Sequence, residues 1–111
     1  MLVPPEIKFH DVDRSQWVED YIVERLGHLE RMGNGMTSAH VTLTQEQRHH
    51  HKGNLYSLMV EVRLPPHHDL AAKKEKSIGK MHAELPALMN EAFEAIEKQV
   101  KKTAHLRRAH D

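Results

Sequence analysis

Basic side chains recur at helical spacing in two parts of this sequence. Arg25, His28 and Arg31 follow one another at three-residue steps, and Lys98, Lys101, Lys102, His105, Arg107 and Arg108 crowd a second segment. No acid occurs from Lys98 to His110, so the Lys98–Arg108 segment carries +5 with its histidine neutral. Two readings stay open. Cations near the end of a helix suit the negative pole of its dipole, and a charge run is commonly a solvated face. The same cations, pooled from two helices packed side by side on one sheet, would form a surface for phosphates.

A second concentration is the stretch RHHHKGNLY, Arg48 to Tyr56. Three consecutive histidines invite a metal reading, but neighbouring strand residues point to opposite faces and cannot converge on one ion. The chain has no cysteine and no helical HxxxH pair. No metal and no cofactor is therefore assigned. Arg48 and Lys52 are the fixed cations of this stretch and the histidines its titratable ones, so Arg48 and Lys52 are candidate further contacts to an anionic partner.

Catalytic chemistry finds little support. The sequence GNG at Gly33–Gly35 follows a helical pattern and lacks the strand-then-helix setting of a phosphate loop. Ser15 suits a helix N-cap, Ser38 and Ser57 fall in strand patterns, and the carboxylates are scattered along solvent faces. The chain is expected not to be an enzyme.

The elements that would carry these groups are readable from periodicity. EIKFH (Glu6–His10) alternates as a short strand. Val18, Tyr21, Ile22, Leu26, Leu29 and Met32 form one helical stripe that starts after Ser15 and stops at GNG, where a glycine is expected to take the left-handed cap. Ala39, Val41 and Leu43 share one face of a strand, and Tyr56, Leu58, Val60, Val62 and Leu64 share one face of another. The histidine stretch then becomes the polar loop, of about seven residues, of a hairpin between these strands. Pro65 and Pro66 mark the next turn, a weak fourth strand is expected near Leu70–Lys74, and KEKSIGKMH (Lys74–His82) reads as an exposed loop. A last helical stripe runs from about Glu84 to Leu106, with Pro86 expected in its first turn. The order β-α-β-β-β-α predicts an α+β domain, a four-stranded sheet with two helices on one face.

Length and composition agree with a single domain spanning residues 1–111. Sixteen basic and sixteen acidic residues give zero formal net charge, so nucleic-acid binding would have to come from a local patch. The charge is unevenly spread, at −4 over residues 1–47 and +4 over residues 48–111. The N-terminal residues lack the pattern of a signal peptide, and no apolar run approaches the roughly 20 residues of a membrane span, so a cytoplasmic protein without a membrane partner is expected.

Four stretches in order, EIKFH, ERLGHLERM (Glu24–Met32), RHHHKGNLY and AFEAIEKQVKK (Ala92–Lys102), together resemble the ribosome hibernation-promoting factor family, which includes the ribosome-associated inhibitor protein Y. The resemblance covers nearly the whole chain and implies a fold similar to double-stranded RNA-binding domains. It also implies a translation-inhibiting factor that occupies the small ribosomal subunit near the decoding sites in stationary phase or stress. Such a factor blocks mRNA and tRNA, and its basic helix residues lie on rRNA phosphates. The matching positions are Arg25, His28, Arg31, Lys98 and Lys102, to which spacing adds Lys101 and His105. Ending at Asp111, the chain looks like a short form without the dimerisation domain of long members. Two other function classes are compatible with the residues. One is a transcription-related protein-interaction module, which would expose an apolar patch on the outer face of the sheet. The other is a His-rich metal-binding protein.

Overall fold

The period-two alternation of the strands and the apolar stripes of the helices meet at one interface. The structure, a computed structural model, describes residues 4–46 and 54–109, with side chains through Leu106. Strand β1 (Glu6–His10) leads into helix α1 (Gln16–Gly33), then β2 (Ser38–Glu46), β3 (Asn54–Leu64), β4 (His68–Ile78) and helix α2 (Met81–Ala109). The strands lie in the order β1-β2-β3-β4, with β1 parallel to β2 and the other pairs antiparallel. This is the α+β, β-α-β-β-β-α architecture the pattern predicts.

Register places the apolar sets on one face. Ala39 stands opposite Val62, Val41 opposite Val60 and Leu43 opposite Leu58, and directly opposed residues share a face of the sheet. All six are buried, together with Val18, Ile22, Leu26 and Leu29 of α1 and Leu88, Met89, Phe93, Ile96 and Val100 of α2. Full burial of each of these side chains other than alanine is worth about 1.5–3 kcal/mol relative to exposure. The other face carries Glu6, His40, Thr42, Glu61, Arg63, Asp69 and Lys73.

The helices run in the same direction. Trp17 near the start of α1 stacks on His82 near the start of α2, with ring centroids 5.1 Å apart. Tyr21 meets Phe93 edge-on. A methyl group on Gly33, the last residue of α1, would lie 3.2 Å from Cγ1 of Val100. The C-terminal ends therefore lie toward one pole, with the last turns of α2 continuing past the end of α1. Among the described residues, no helix is long and apolar enough to cross a membrane.

Several local features differ from the sequence expectation. The left-handed cap of α1 is Asn34 (φ 56°, ψ 50°), not a glycine of the flanking pair, and Gly35 N–H closes the turn on the Glu30 carbonyl at 3.0 Å. Asparagine tolerates this conformation. Gly33 serves packing instead, because a Cβ there would sit 3.1 Å from Cδ2 of Leu64. Ser15 occupies the N-cap position of α1, but its side chain makes no capping hydrogen bond.

Helix α2 begins at Met81, so Pro86 lies inside it rather than in its first turn. The earlier start is supported by Glu84, whose Oε2 accepts from Gly79 N–H at 2.8 Å, while Glu84 N–H donates to the Lys80 carbonyl at 2.9 Å.

Strand β4 is eleven residues long and takes in Lys74–Ile78, the stretch expected to be loop, leaving only Gly79 and Lys80 between β4 and α2. The run KKEKS offers no apolar alternation to read. Pairing with the strongly patterned β3 imposes the extended conformation instead. Lys74 stands opposite Leu58 and Lys76 opposite Tyr56, which puts both lysines on the helix side of the sheet. Gln99 of α2 donates from Nε2 to the Ala71 carbonyl at 2.8 Å, covering part of this edge strand. The turn before β4 holds a cis Pro65–Pro66 peptide.

Candidate nucleic-acid interface

The apolar stripe of α2 turns Leu88, Met89, Ile96 and Val100 inward, and the helical period then turns Lys98, Lys101, Lys102 and His105 outward. All four are exposed. On α1, His28 and Arg31 are exposed as well, on the flank that follows Arg25 toward the shared pole. Arg31 lies in the last turn of α1, where a cation also suits the dipole. Its guanidinium runs back along the helix, since a methyl on Gly27 would meet Nη1 at 3.7 Å.

Arg25 is placed differently from the other predicted cations. Its Nη1 donates to Tyr21 Oη at 2.6 Å and to Asn90 Oδ1 at 2.8 Å, and its Nη2 donates to Glu97 Oε1 at 3.0 Å. The guanidinium carbon stands 5.6 Å from the Tyr21 ring centroid and 5.2 Å from that of Phe93. Both ends of the ion pair are only 19% exposed. This planar, multiply bonded placement exploits the fixed fork of arginine. Arg25 clasps α1 to α2 and fixes the relative position of the exposed cations around it. Its α2 partners Asn90 and Glu97 were missed from sequence. Their seven-residue spacing puts them on one face of α2, which is the available signal.

The two surfaces of the domain differ in how their charges are balanced. On the outer sheet face, Arg63 Nε lies 2.6 Å from Asp69 Oδ1, Lys73 Nζ lies 3.4 Å from Glu75, and His40 Nδ1 lies 2.7 Å from Glu6. The hydrogen bond from Arg63 holds the Asp69 carboxyl below the usual carboxylate range, and Asp69 in turn raises Arg63. On the helix side, Arg31, Lys98, Lys101 and Lys102 form no ion pair among the described residues. Unneutralised cations attract phosphate where internally paired ones do not.

Arg48, Lys52 and the three histidines between them fall outside the described residues. Among the described residues, no group of three His, Asp or Glu side chains is placed to hold a metal ion. The only buried polar residue among them is Ser57, in the middle of β3. What the helix face offers is charge and hydrogen-bond donors.

Comparison with known proteins places this geometry. The fold is similar to the crystal structure of the Thermus thermophilus Protein Y N-terminal domain, with a TM-score of 0.68 and 20% identity over 88% of this chain and 94% of that one. It is also similar to a ribosomal subunit interface protein from Coxiella burnetii, with a TM-score of 0.59 and 12% identity over 94% and 96% of the two chains. At such identities the likeness concerns the fold. A comparison with curated protein sequences finds no match. The family described as sigma 54 modulation protein / S30EA ribosomal protein matches residues 6–108, nearly the whole chain. By that match the chain belongs to the sigma 54 modulation / S30EA ribosomal protein family, the hibernation-promoting factor and protein Y lineage that its motifs resemble.

Proposed function

We propose that this protein is a cytoplasmic ribosome-associated factor that inhibits translation under stress or in stationary phase. It occupies the small ribosomal subunit near the decoding sites, so that mRNA and tRNA cannot enter. It acts by occupation and phosphate neutralisation, without turnover. The observation that carries this reading is the segregation of unpaired cations. Among the described residues, Arg31 of α1 and Lys98, Lys101 and Lys102 of α2 stand exposed and unpaired on the helix side, with His28 and His105 exposed on the same two helices, while cations of the outer sheet face are largely paired within the fold. Arg25 supports this surface from beneath. Family membership and the ribosomal subunit interface protein from Coxiella burnetii, similar in fold, point the same way.

The outer sheet face gives little support to a protein-interaction module. Among the described residues, the only exposed large apolar side chains are Val23 and Leu106, both on helices. A docking patch would need a contiguous apolar area.

The test is cosedimentation with purified small subunits at about 50 and 200 mM salt. Six or more phosphate contacts predict an affinity loss of roughly 10³-fold or more across that range, through counterion release. Replacing Lys98 and Lys102 together by glutamate should weaken binding at least roughly tenfold at the lower salt and flatten the salt dependence. Salt-independent association, or a double variant that sediments like the parent, contradicts the reading.

A further inference from the structure

We propose that Lys74 and Lys76 of β4 form a second, nucleic-acid-backbone-binding flank on the side of α2 away from α1. The inference rests on the phosphate-binding reading of the helix face and extends it to a strand. Register places both lysines on the helix side of the sheet, opposite Leu58 and Tyr56. There an apolar residue would ordinarily continue the core, as Leu70, Ala72 and Ile78 of the same face do by packing into or against it. Lys74 is exposed and Lys76 half-buried. At such positions a lysine can lay its alkyl stem along apolar surface while its ammonium group reaches solvent. Neither forms an ion pair among the described residues, whereas Lys73, pointing to the other face, is 3.4 Å from Glu75.

The position along α2 follows from two contacts. Strand β4 ends at Ile78 and α2 starts at Met81, so the chain reverses, and Gln99 bonds to Ala71. At ~3.3 Å per strand residue and ~1.5 Å per helix residue, Lys74 comes level with a point roughly six or seven residues before Gln99, and Lys76 still earlier. The lysines therefore line the α2–β4 seam below the Lys98–Lys102 cluster. The acids of α2 near that flank are Glu84, bonded to Gly79 N–H, Glu91, and Glu94, one turn before Lys98. The cations of Lys74, Lys76, Lys98 and Lys102 outnumber them. The surface spans about 20 Å of helix, from the level of Lys76 to Lys102. That length suits a tract of phosphates rather than one. With His28 and Arg31 on its other side, α2 becomes a ridge with cations on both slopes, which fits an RNA backbone crossing it.

Lysines on an edge strand can also serve only to block edge-to-edge association, and the experiment separates the two roles. Binding to purified small ribosomal subunits is measured against salt for the parent, Lys74→Gln/Lys76→Gln, Lys74→Glu/Lys76→Glu and Lys98→Gln/Lys102→Gln, with elution volume and thermal midpoint checked for each. The proposal expects the β4 glutamine pair to weaken binding roughly 10- to 100-fold at low salt and to reduce the slope of log K against log salt by about one to two. It expects the glutamate pair, which keeps a charged edge, to weaken binding more while staying monomeric. Parent-like binding by both β4 pairs, with the Lys98/Lys102 pair impaired, overturns the inference alone. Parent-like binding by all three overturns the phosphate reading beneath it.

Discussion

Across the α1–α2 seam, Arg25 Nη2 donates to Glu97 Oε1 at 3.0 Å, with Tyr21 and Phe93 rings beside the guanidinium. Because both side chains are largely shielded, breaking the pair leaves polar groups short of partners. Arg25→Ala should destabilise the fold by about 1–3 kcal/mol in urea unfolding. Arg25→Lys should recover less than half of that, since lysine lacks the planar fork. Equal stability of Arg25→Ala and the parent would show that the clasp is not structural.

At the end of α1, two neighbouring residues should respond in opposite ways to substitution. Gly33→Ala gains helix propensity of about 1 kcal/mol, but its Cβ meets Leu64 and Val100 at 3.1 and 3.2 Å. Overpacking of that kind costs about 1–3 kcal/mol, so a net loss is expected. Asn34 holds the left-handed conformation, and Asn34→Gly should be neutral or stabilising where Asn34→Ala costs roughly 1 kcal/mol. Denaturation midpoints of the three variants decide the matter, and a stabilised Gly33→Ala refutes the packing argument.

Pro86 deprives α2 of the bond that would close on the His82 carbonyl. Pro86→Ala should raise stability by about 1–3 kcal/mol and raise the thermal midpoint. An unchanged or lowered midpoint would mean that the ring contributes packing of equal size.

The Arg63–Asp69 pair makes a pH prediction. Asp69 has its carboxyl pKa lowered by the hydrogen bond from Arg63. A depressed carboxylate adds stability above its unfolded pKa and loses it as pH falls through the folded one. The parent should therefore melt above Asp69→Asn at neutral pH, and the gap should close on acidification below about pH 4, the ordinary Asp range. The pair is solvent-exposed, so the gap should also shrink in salt. A gap that widens in acid reverses the assigned sign.

Most of the fold was legible because its signals are local and periodic. The stripe from Val18 to Leu29 and the alternation from Tyr56 to Leu64 each name their own buried face. What escaped was set by neighbours. Residues Glu75–Ile78 have no strand pattern of their own and become part of β4 through pairing with Asn54–Ser57. Pro86 reads as a helix start, yet the Glu84–Gly79 bond extends the helix one turn earlier. At the candidate interface, charge spacing implies exposed helix positions, and His28, Arg31, Lys98, Lys101, Lys102 and His105 are exposed. It could not distinguish Arg25, whose charge is absorbed by Asn90 and Glu97, because those partners lie 65 and 72 residues away.

The parallel course of the two helices fixes the direction from which an anion can arrive. Each helix carries its partial negative charge at its C-terminal end, equivalent to roughly half an electron. Both such ends lie toward the same pole, so an approach along the helix axes runs toward the negative ends of both dipoles. From the side, the exposed Lys98 and Lys102 come first and those negative ends do not. On the proposed function, this charge layout favours a domain lying flat along a strand of nucleic acid, with its helix axes parallel to the surface it covers, over one that plugs in tip first.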